Sequence, residues 1–256
     1  MVQPKEVVVF DVDGTLREDA FLELLVEAFI EKGFFNHKTA EDYMKEKMVW
    51  RQGGPYQSYV DALIQVFKKG ISGVSYEGAL KVAQEIIDDK SHRYYRFSKA
   101  LLEKAKTKGS YTILLSHSPQ FIITLLGGDL GVDKAVGTKY IVSDGLFTGE
   151  REVETGYDKG EKLKKVLKES GIKISKIQNL VCVGDSVPDY EMFRLANHAV
   201  LICPTANLRK LVRESMSNSS QSTPTFWRIM EAKSVVEVDG VEVENIDEYI
   251  SQILTA

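Results

Sequence analysis

Cysteine is nearly absent from this 256-residue chain: only Cys182 and Cys203 occur, each in an apolar, strand-like run and neither near a CxxC or Cys/His cluster. That pattern argues against a disulfide framework or a thiolate metal site, and two reduced core residues are expected. Long apolar runs are missing too, none approaching the roughly 20 residues that a membrane-spanning helix needs. A soluble, cytoplasmic protein without a membrane partner is the expectation. Charge of one sign is not in excess: 33 Lys and Arg stand against 37 Asp and Glu, for a net charge of −4. Such a balance offers no basic patch to nucleic acid. No internal repeat is present, and the length suffices for one full core plus a smaller insertion.

What is there begins at residue 7. Val7, Val8, Val9 and Phe10 form a short apolar run, three of them β-branched, which fits a strand buried on both faces of a parallel sheet. The polarity then reverses at Asp11, Val12, Asp13, Gly14 and Thr15. Carboxylates at i and i+2 leave a strand on the same side, and a glycine just after them permits a sharp turn and a close approach of backbone. An Asp-Gly pair by itself is usually a turn, as expected for Asp144-Gly145 and Asp239-Gly240. The setting of the first copy distinguishes it, because the loop past the carboxyl end of a buried parallel strand is where open α/β sheets bind ligands.

Helical spacing follows from Asp19 to Gly33, through Leu22, Leu25, Val26, Phe29 and Ile30. Residues 39–50, 56–68 and 76–95 read as further helices, interrupted at Gly53-Gly54-Pro55 and around Gly70 to Gly73. Some eighty residues without a strand exceed what one crossover needs, so an inserted all-helical cap is expected. From Tyr111 onward strands and helices alternate: Tyr111 to Leu115, short strands around Asp144-Gly145, a charged helix from Asp158 to Ser170, then Asn179 to Gly184, Ala199 to Cys203 and a helix from Ala206 to Arg213. That alternation predicts an α/β fold, a doubly wound (Rossmann-like) parallel sheet. The expected division is a catalytic core of residues 1–17 and 98–214, a cap of 18–97, and an appendage of 215–256. The appendage reads as a Ser-rich linker (215–223), a hairpin around Asp239-Gly240 and a short helix from Ile246 to Leu254.

Three strand tips thus carry Asp11 and Asp13, Ser116, and Asp185 with Asp189, and a helix start carries Lys159. Singly these residues have plain readings. Ser116, Asp158 and Asp185 could be helix caps and Lys159 a solvated side chain. Together they would converge on one edge of a doubly wound sheet. Two carboxylates about 4 Å apart repel by roughly 4 kcal/mol at an effective dielectric near 20, so gathering several at one edge calls for a cation. Mg²⁺ suits oxygen ligands of this kind, with Lys159 adding positive charge and Ser116 a neutral donor.

The order and spacing of these four groups resemble the haloacid dehalogenase-like superfamily, whose members are mostly magnesium-dependent phosphohydrolases. The helical insertion and the stretch from Ser143 to Gly149 before Asp158-Lys159-Gly160 resemble its phosphoserine phosphatase-like branch. The resemblance covers about residues 5–214 and implies a set of roles. Asp11 would be the nucleophile that takes up the phosphoryl group and Asp13 the general acid/base. Asp11, the Asp13 backbone carbonyl and Asp185 would hold Mg²⁺, Asp189 would support the metal waters or Lys159, and Ser116 and Lys159 would hold phosphoryl oxygens. The chain departs from that branch at Ser116-His117-Ser118, where Ser-Gly-Gly is typical, at Pro188, where Asn is typical, and at Asp19-Ala20, near a typical cap glutamate. Phosphoserine is therefore not carried over as the substrate.

His117 is a candidate contact to the leaving group, and Trp50, Arg51, Tyr56 and Tyr59 are candidates for the pocket wall, with Arg51 meeting an anion. For these the plainer readings are a second-layer histidine, packed aromatics and a solvated arginine. The functional expectation is a phosphate monoester hydrolase acting on a small phosphorylated metabolite. A phosphotransferase using the same aspartyl-phosphate and a non-catalytic binding protein are the alternatives. Self-association through an exposed strand edge of the appendage is also open.

Overall fold

The computed structural model describes residues 3–89, 93–152, 158–218, 224–232 and 235–254. The run from residue 7 forms β1 (Glu6–Phe10), every residue of it buried. Helices α1 (Phe21–Glu31), α2 (His37–Arg51), α3 (Tyr56–Ile71), α4 (Tyr76–Asp88) and α5 (Arg96–Lys108) follow, then β2 (Tyr111–Pro119) and α6 (Gln120–Leu130). Next come β3 (Lys134–Thr138), the hairpin β4 (Tyr140–Ser143) and β5 (Leu146–Arg151), α7 (Lys159–Glu169), β6 (Asn179–Gly184), α8 (Tyr190–Phe193), β7 (His198–Ile202) and α9 (Ala206–Asn218). The chain closes with β8 (Thr225–Ala232), β9 (Val235–Val238), β10 (Val241–Glu242) and α10 (Ile246–Ile253).

Eight strands make one sheet in the order β10-β9-β8-β7-β6-β1-β2-β3. Strands β3, β2, β1, β6, β7 and β8 pair in parallel, whereas β9 and β10 are antiparallel additions at one edge. The period-two alternation of the strands divides the apolar side chains between two cores. Val8, Phe10, Val181 and Val200 point into one, shared with α1, α3, α4, α5, α6 and α10. Val7, Val9, Cys182 and Ala199 point into the other, closed by α7, α8 and α9. Because both faces are covered, β1 reads as a continuous apolar run rather than an alternating one. Both cysteines are free.

Helices α1 to α4 are not detached from this body. Their apolar stripes belong to the same core as Val8 and Phe10, and the contact is rich in aromatic rings: Phe29 stacks on Phe35 at 5.1 Å, and Phe67 meets Tyr140 of β4 edge-on at 5.1 Å. The β4/β5 hairpin is tied to the start of α4 by backbone bonds from Gly73 to Phe147 (2.8 Å) and from Phe147 to Val74 (2.9 Å). The helix expected over 76–95 ends instead at Asp88. Residues 90–92 lie outside the described residues. Arg93 to Tyr95 then run back beside the first linker, with Glu18 N–H donating to Arg93 O (3.0 Å) and Tyr95 N–H to Leu16 O (3.1 Å), a long-range pairing that local periodicity does not encode.

The expected C-terminal appendage requires correction. Strand β8, which the sequence reading missed, lies parallel to β7 with Ala199 opposite Phe226 and Ile202 opposite Ile229. Ile229, Ile250 and Ile253 are fully buried, and residues of this size each stabilise by about 1.5–3 kcal/mol when buried. The Glu231 carboxylate accepts the N–H groups of Arg96 (2.8 Å) and Phe97 (3.1 Å), capping α5. This segment completes the sheet. The Ser-rich linker is partly helix, since α9 runs to Asn218, and residues 219–223 of it lie outside the described residues. Within this segment the sheet edge is β10, two residues long. No helix among the described residues is long and apolar enough to cross a membrane.

Candidate active site

Strand order decides where the polar tips meet. With β6 and β2 on either side of β1, the chain builds outward from β1 through β2 to β3 and then crosses to β6 to build outward the other way, and the crevice at such a reversal lies beyond the carboxyl ends of the strands. Asp11 is the first residue past β1 and stays in register, its N–H donating to Val183 O of β6 at 2.9 Å. The chain then folds sharply: Leu16 and Arg17 both donate to Val12 O at 2.9 Å. Gly14 sits in this turn at φ +77, and a Cβ there would lie 2.9 Å from Asp185 Oδ2. Only glycine tolerates both the conformation and the contact.

Lys159, in the first turn of α7, reaches into the crevice and is 2% exposed. Its Nζ donates to Asp11 Oδ1 and Asp189 Oδ1, both at 2.6 Å. The helix that carries it is capped by Asp158, which accepts the N–H groups of Gly160 (2.7 Å) and Glu161 (3.3 Å). Asp158 is thus a cap, as its plain reading had it. Asp189 is fully buried. Its second oxygen accepts from Asp185 N–H, Ser186 N–H and Ser186 Oγ at 3.0 to 3.1 Å. Its side chain packs so closely on Gly184 that a Cβ there would come within 2.6 Å. Asp189 therefore supports Lys159 and the Asp185 loop.

Asp13 is held from three sides. Ser116 Oγ donates to its Oδ2 at 3.0 Å and Ser118 Oγ at 2.7 Å, while Phe21 N–H donates to its Oδ1 at 2.7 Å. Ser116 and Ser118 are i and i+2 on β2 and so share a face. That alternation could have identified Ser118, which the sequence reading left without a role. Thr15 was likewise passed over. Its hydroxyl lies 3.3 Å from Asp11 Oδ2 and 3.0 Å from Asp185 Oδ1, bridging the two carboxylates.

The electrostatics are those of a site with too much negative charge. Four carboxylates (Asp11, Asp13, Asp185, Asp189) face one ammonium. Burial raises Asp11 well above the ordinary carboxylate value, Lys159 offsets part of that, and Asp189, Asp185 and Asp13 add to it. Burial and then the charge of Asp189 push Asp185 up to about 7. For Lys159, burial lowers the pKa, and the carboxylates of Asp11 and Asp189 overcome it and raise the value. Ligand oxygens of Asp11, Asp185 and Asp189 all lie within 4.8 Å of one another. The residues fit a hard divalent cation, since all donors are oxygens and the excess charge needs one. With both Asp189 oxygens engaged by Lys159 and the Ser186 turn, the ligand carboxylates left are Asp11 and Asp185.

The remaining candidates fall differently. His117, on β2 between Ser116 and Ser118, is pushed down to about 3 by burial and by the nearby Lys159 and Lys162, so it is a neutral imidazole at pH 7. Arg51 is exposed at the end of α2, where its charge acts on Glu27. Trp50 stacks on Tyr59 at 4.8 Å and meets Tyr56 at 5.8 Å. Of the three, Tyr56 is 58% exposed, and its hydroxyl is raised by desolvation and then by Asp185, Glu23 and Asp13. Tyr56 is thus the exposed ring of the three, and its hydroxyl senses the charge of these carboxylates. Neighbouring it on the helices is a polar group that the sequence reading did not pick out: Lys47 pairs with Glu23 at 2.8 Å and with Glu27, and Tyr43 donates to Glu27 at 2.6 Å.

The family model for haloacid dehalogenase-like hydrolases matches residues 8–194. The chain is 26% identical over 216 residues to a phosphoserine phosphatase of Methanocaldococcus jannaschii, covering 82% of this chain and 91% of that one. It is 24% identical over 217 residues to a histidinol-phosphatase of Neisseria meningitidis, covering 82% and 96%. Among solved structures, a phospho-aspartyl intermediate analogue of phosphoserine phosphatase superposes with a TM-score of 0.56 at 21% identity, covering 84% of this chain and 99% of that one. A protein of unknown function from Bordetella pertussis superposes with a TM-score of 0.66 at 15% identity, covering 88% and 98%.

Proposed function

The chain belongs to the haloacid dehalogenase-like hydrolase family, and we propose that it is a magnesium-dependent phosphate monoester hydrolase acting on a small phosphorylated metabolite in the cytoplasm. The observation that carries this reading is the pairing of two differently held carboxylates at one strand tip. Asp11 is oriented by Lys159, whereas Asp13 is aimed from Ser116, Ser118 and the start of α1. In this reading the first attacks phosphorus and the second moves protons.

In the first step an Asp11 carboxylate oxygen bonds to phosphorus as the phosphorus–ester oxygen bond breaks, and Asp13 gives its proton to the departing oxygen. In the second step Asp13 takes a proton from water, the water oxygen bonds to phosphorus, and the bond to Asp11 breaks to release phosphate. Lys159 holds phosphoryl oxygens in both steps, Ser116 does so when its hydroxyl turns from Asp13 to the bound phosphoryl group, and Asp189 keeps Lys159 in place. The carboxylates of Asp11 and Asp185 with the Asp13 backbone carbonyl would hold Mg²⁺, which would supply the charge neutralisation that lets an anionic nucleophile meet an anionic ester. Helices α1 to α4 act as the cap, residues 18–97, and the part of the substrate beyond phosphate meets Tyr56 and the Glu23–Lys47 group.

A panel of phosphorylated metabolites that includes O-phosphoserine and histidinol phosphate, assayed with and without Mg²⁺, tests the reading. Metal-dependent phosphate release from at least one member supports it, with p-nitrophenyl phosphate as the generic control. Phosphate appearing on an added alcohol instead of in solution points to a transferase, and absence of any turnover refutes an enzymatic role.

A further inference from the structure

Among the described residues Arg17 is the largest side chain almost wholly removed from solvent, at 1% exposure. It lies in the turn just past Asp13, within the linker that leads into α1. Its guanidinium carbon sits 4.7 Å from the centroid of the Phe21 ring and 5.3 Å from that of Tyr94. Neither Nε nor Nη2 has a hydrogen-bond partner. A guanidinium in such a place is costly, and a leucine or methionine would fill the space without that cost. What the guanidinium adds is attraction to two ring faces at once.

The two rings hold different parts of the site. Phe21 opens α1, where the capping residue is Ala20, which has no side-chain acceptor. The Asp13 carboxylate takes over that task by accepting Phe21 N–H at 2.7 Å. Tyr94 stands on the returning linker, bridged to the backbone of Arg17 itself. The side chain of Arg17 thus fastens the start of α1 to the paired linkers, and the N–H so fixed is one of the three donors that aim Asp13.

We infer that Arg17 is a positioning residue for Asp13, acting through Phe21. The inference rests on the reading of Asp13 as the proton donor to the leaving oxygen. Its consequence is selective. An alkyl phosphate needs that proton as its phosphorus–oxygen bond breaks, whereas p-nitrophenolate departs readily without it. Loss of Arg17 therefore lowers kcat/KM, which reports the steps up to phosphoryl transfer onto Asp11, for the first kind of substrate and spares it for the second, while the hydrolytic step that both share slows alike.

The test compares Arg17→Met, Arg17→Lys and Asp13→Asn in the full-length protein with Mg²⁺. The substrates are the best alkyl phosphate from the panel and p-nitrophenyl phosphate. For Arg17→Met the expected result is a fall of about tenfold or more in kcat/KM on the alkyl ester, against about twofold or less on the aryl ester. Arg17→Lys, which keeps a cation against the rings, recovers part of the loss. Hydrogen exchange at the Phe21 amide gives a second readout independent of turnover, and protection there drops in Arg17→Met. Unchanged protection overturns the inference, and so does an equal fall on both substrates while Asp13→Asn shows the bias. If Asp13→Asn itself shows no bias, the reading of Asp13 as proton donor fails, and Phe21 exchange alone decides whether Arg17 holds it.

Discussion

Replacing Lys159 with methionine should lower stability and turnover while tightening metal binding, an opposition of signs that few other substitutions here would give. Its Nζ lies 2.6 Å from one oxygen of Asp11 and one of Asp189, and the three side chains are 3%, 7% and 0% exposed. Methionine keeps most of the length but leaves two buried carboxylates without their shared cation. Breaking a buried pair in this way costs roughly 3–5 kcal/mol. At about 2–4 °C per kcal/mol for a chain of this size, the metal-free melting temperature should drop by roughly 6–20 °C. Burial already raises Asp11, and Lys159 is the main influence opposing it. Without that influence the folded variant binds protons at higher pH than its unfolded chain does, so its stability falls as pH rises. The gap from wild type should widen between pH 5 and pH 8. Mg²⁺ should narrow the gap, because its site no longer faces a neighbouring positive charge. Relief of about 1.4 kcal/mol of repulsion already makes binding tenfold tighter. Differential scanning calorimetry across that pH range, with metal titration by isothermal calorimetry, measures all three effects. A variant with wild-type stability at pH 8, or with weakened Mg²⁺ binding, would refute the reasoning.

Other predictions follow from single contacts. Gly14→Ala places a Cβ 2.9 Å from Asp185 Oδ2 in a left-handed turn, so Asp185 must move. Alongside about 1–2 kcal/mol of backbone strain, Mg²⁺ binding should weaken by an order of magnitude or more, as calorimetric titration would show. His117, pushed down to about 3, should show no titration of its ring proton resonances between pH 5 and pH 8. Its unfolded value is near 6.5, so whatever it contributes to stability is complete above that value and is lost as pH falls toward 3. Deleting residues 224–256 removes β8 and the buried Ile229, Ile250 and Ile253. The truncated chain should lose cooperative unfolding, whereas a well-folded monomer after truncation would restore the view that this segment is an appendage.

Much of the site was legible in the sequence because its parts are local signals with a physical cause. Four apolar residues followed by Asp11 and Asp13 mark a buried parallel strand with its acids at the tip, and three such tips imply one edge. The doubly wound sheet follows from the alternation after residue 111. What was illegible depends on contacts between distant segments. Strand β8, from Thr225 to Ala232, carries Arg228 and Glu231 among its apolar residues, so its alternation is blurred, and only its register with β7 makes it part of the sheet. Ser118 and Thr15 acquire their roles from where Asp13 and Asp185 stand in space. Arg17 received no role in the sequence reading, and nothing in its neighbours announces that Phe21 and Tyr94 close over it. How Trp50, Tyr56 and Tyr59 meet likewise comes from the packing of α2 against α3, which helical periodicity leaves open.

The account turns on Asp11 accepting a phosphoryl group. Acid quenching during steady-state turnover, followed by peptide mapping by mass spectrometry, tests that directly. One phosphoryl group should be found on the peptide containing Asp11, it should be released by hydroxylamine, and it should be missing from an Asp11→Asn protein that has lost turnover. A phosphoryl group on another residue, or an Asp11→Asn protein that retains most of its activity, would contradict it.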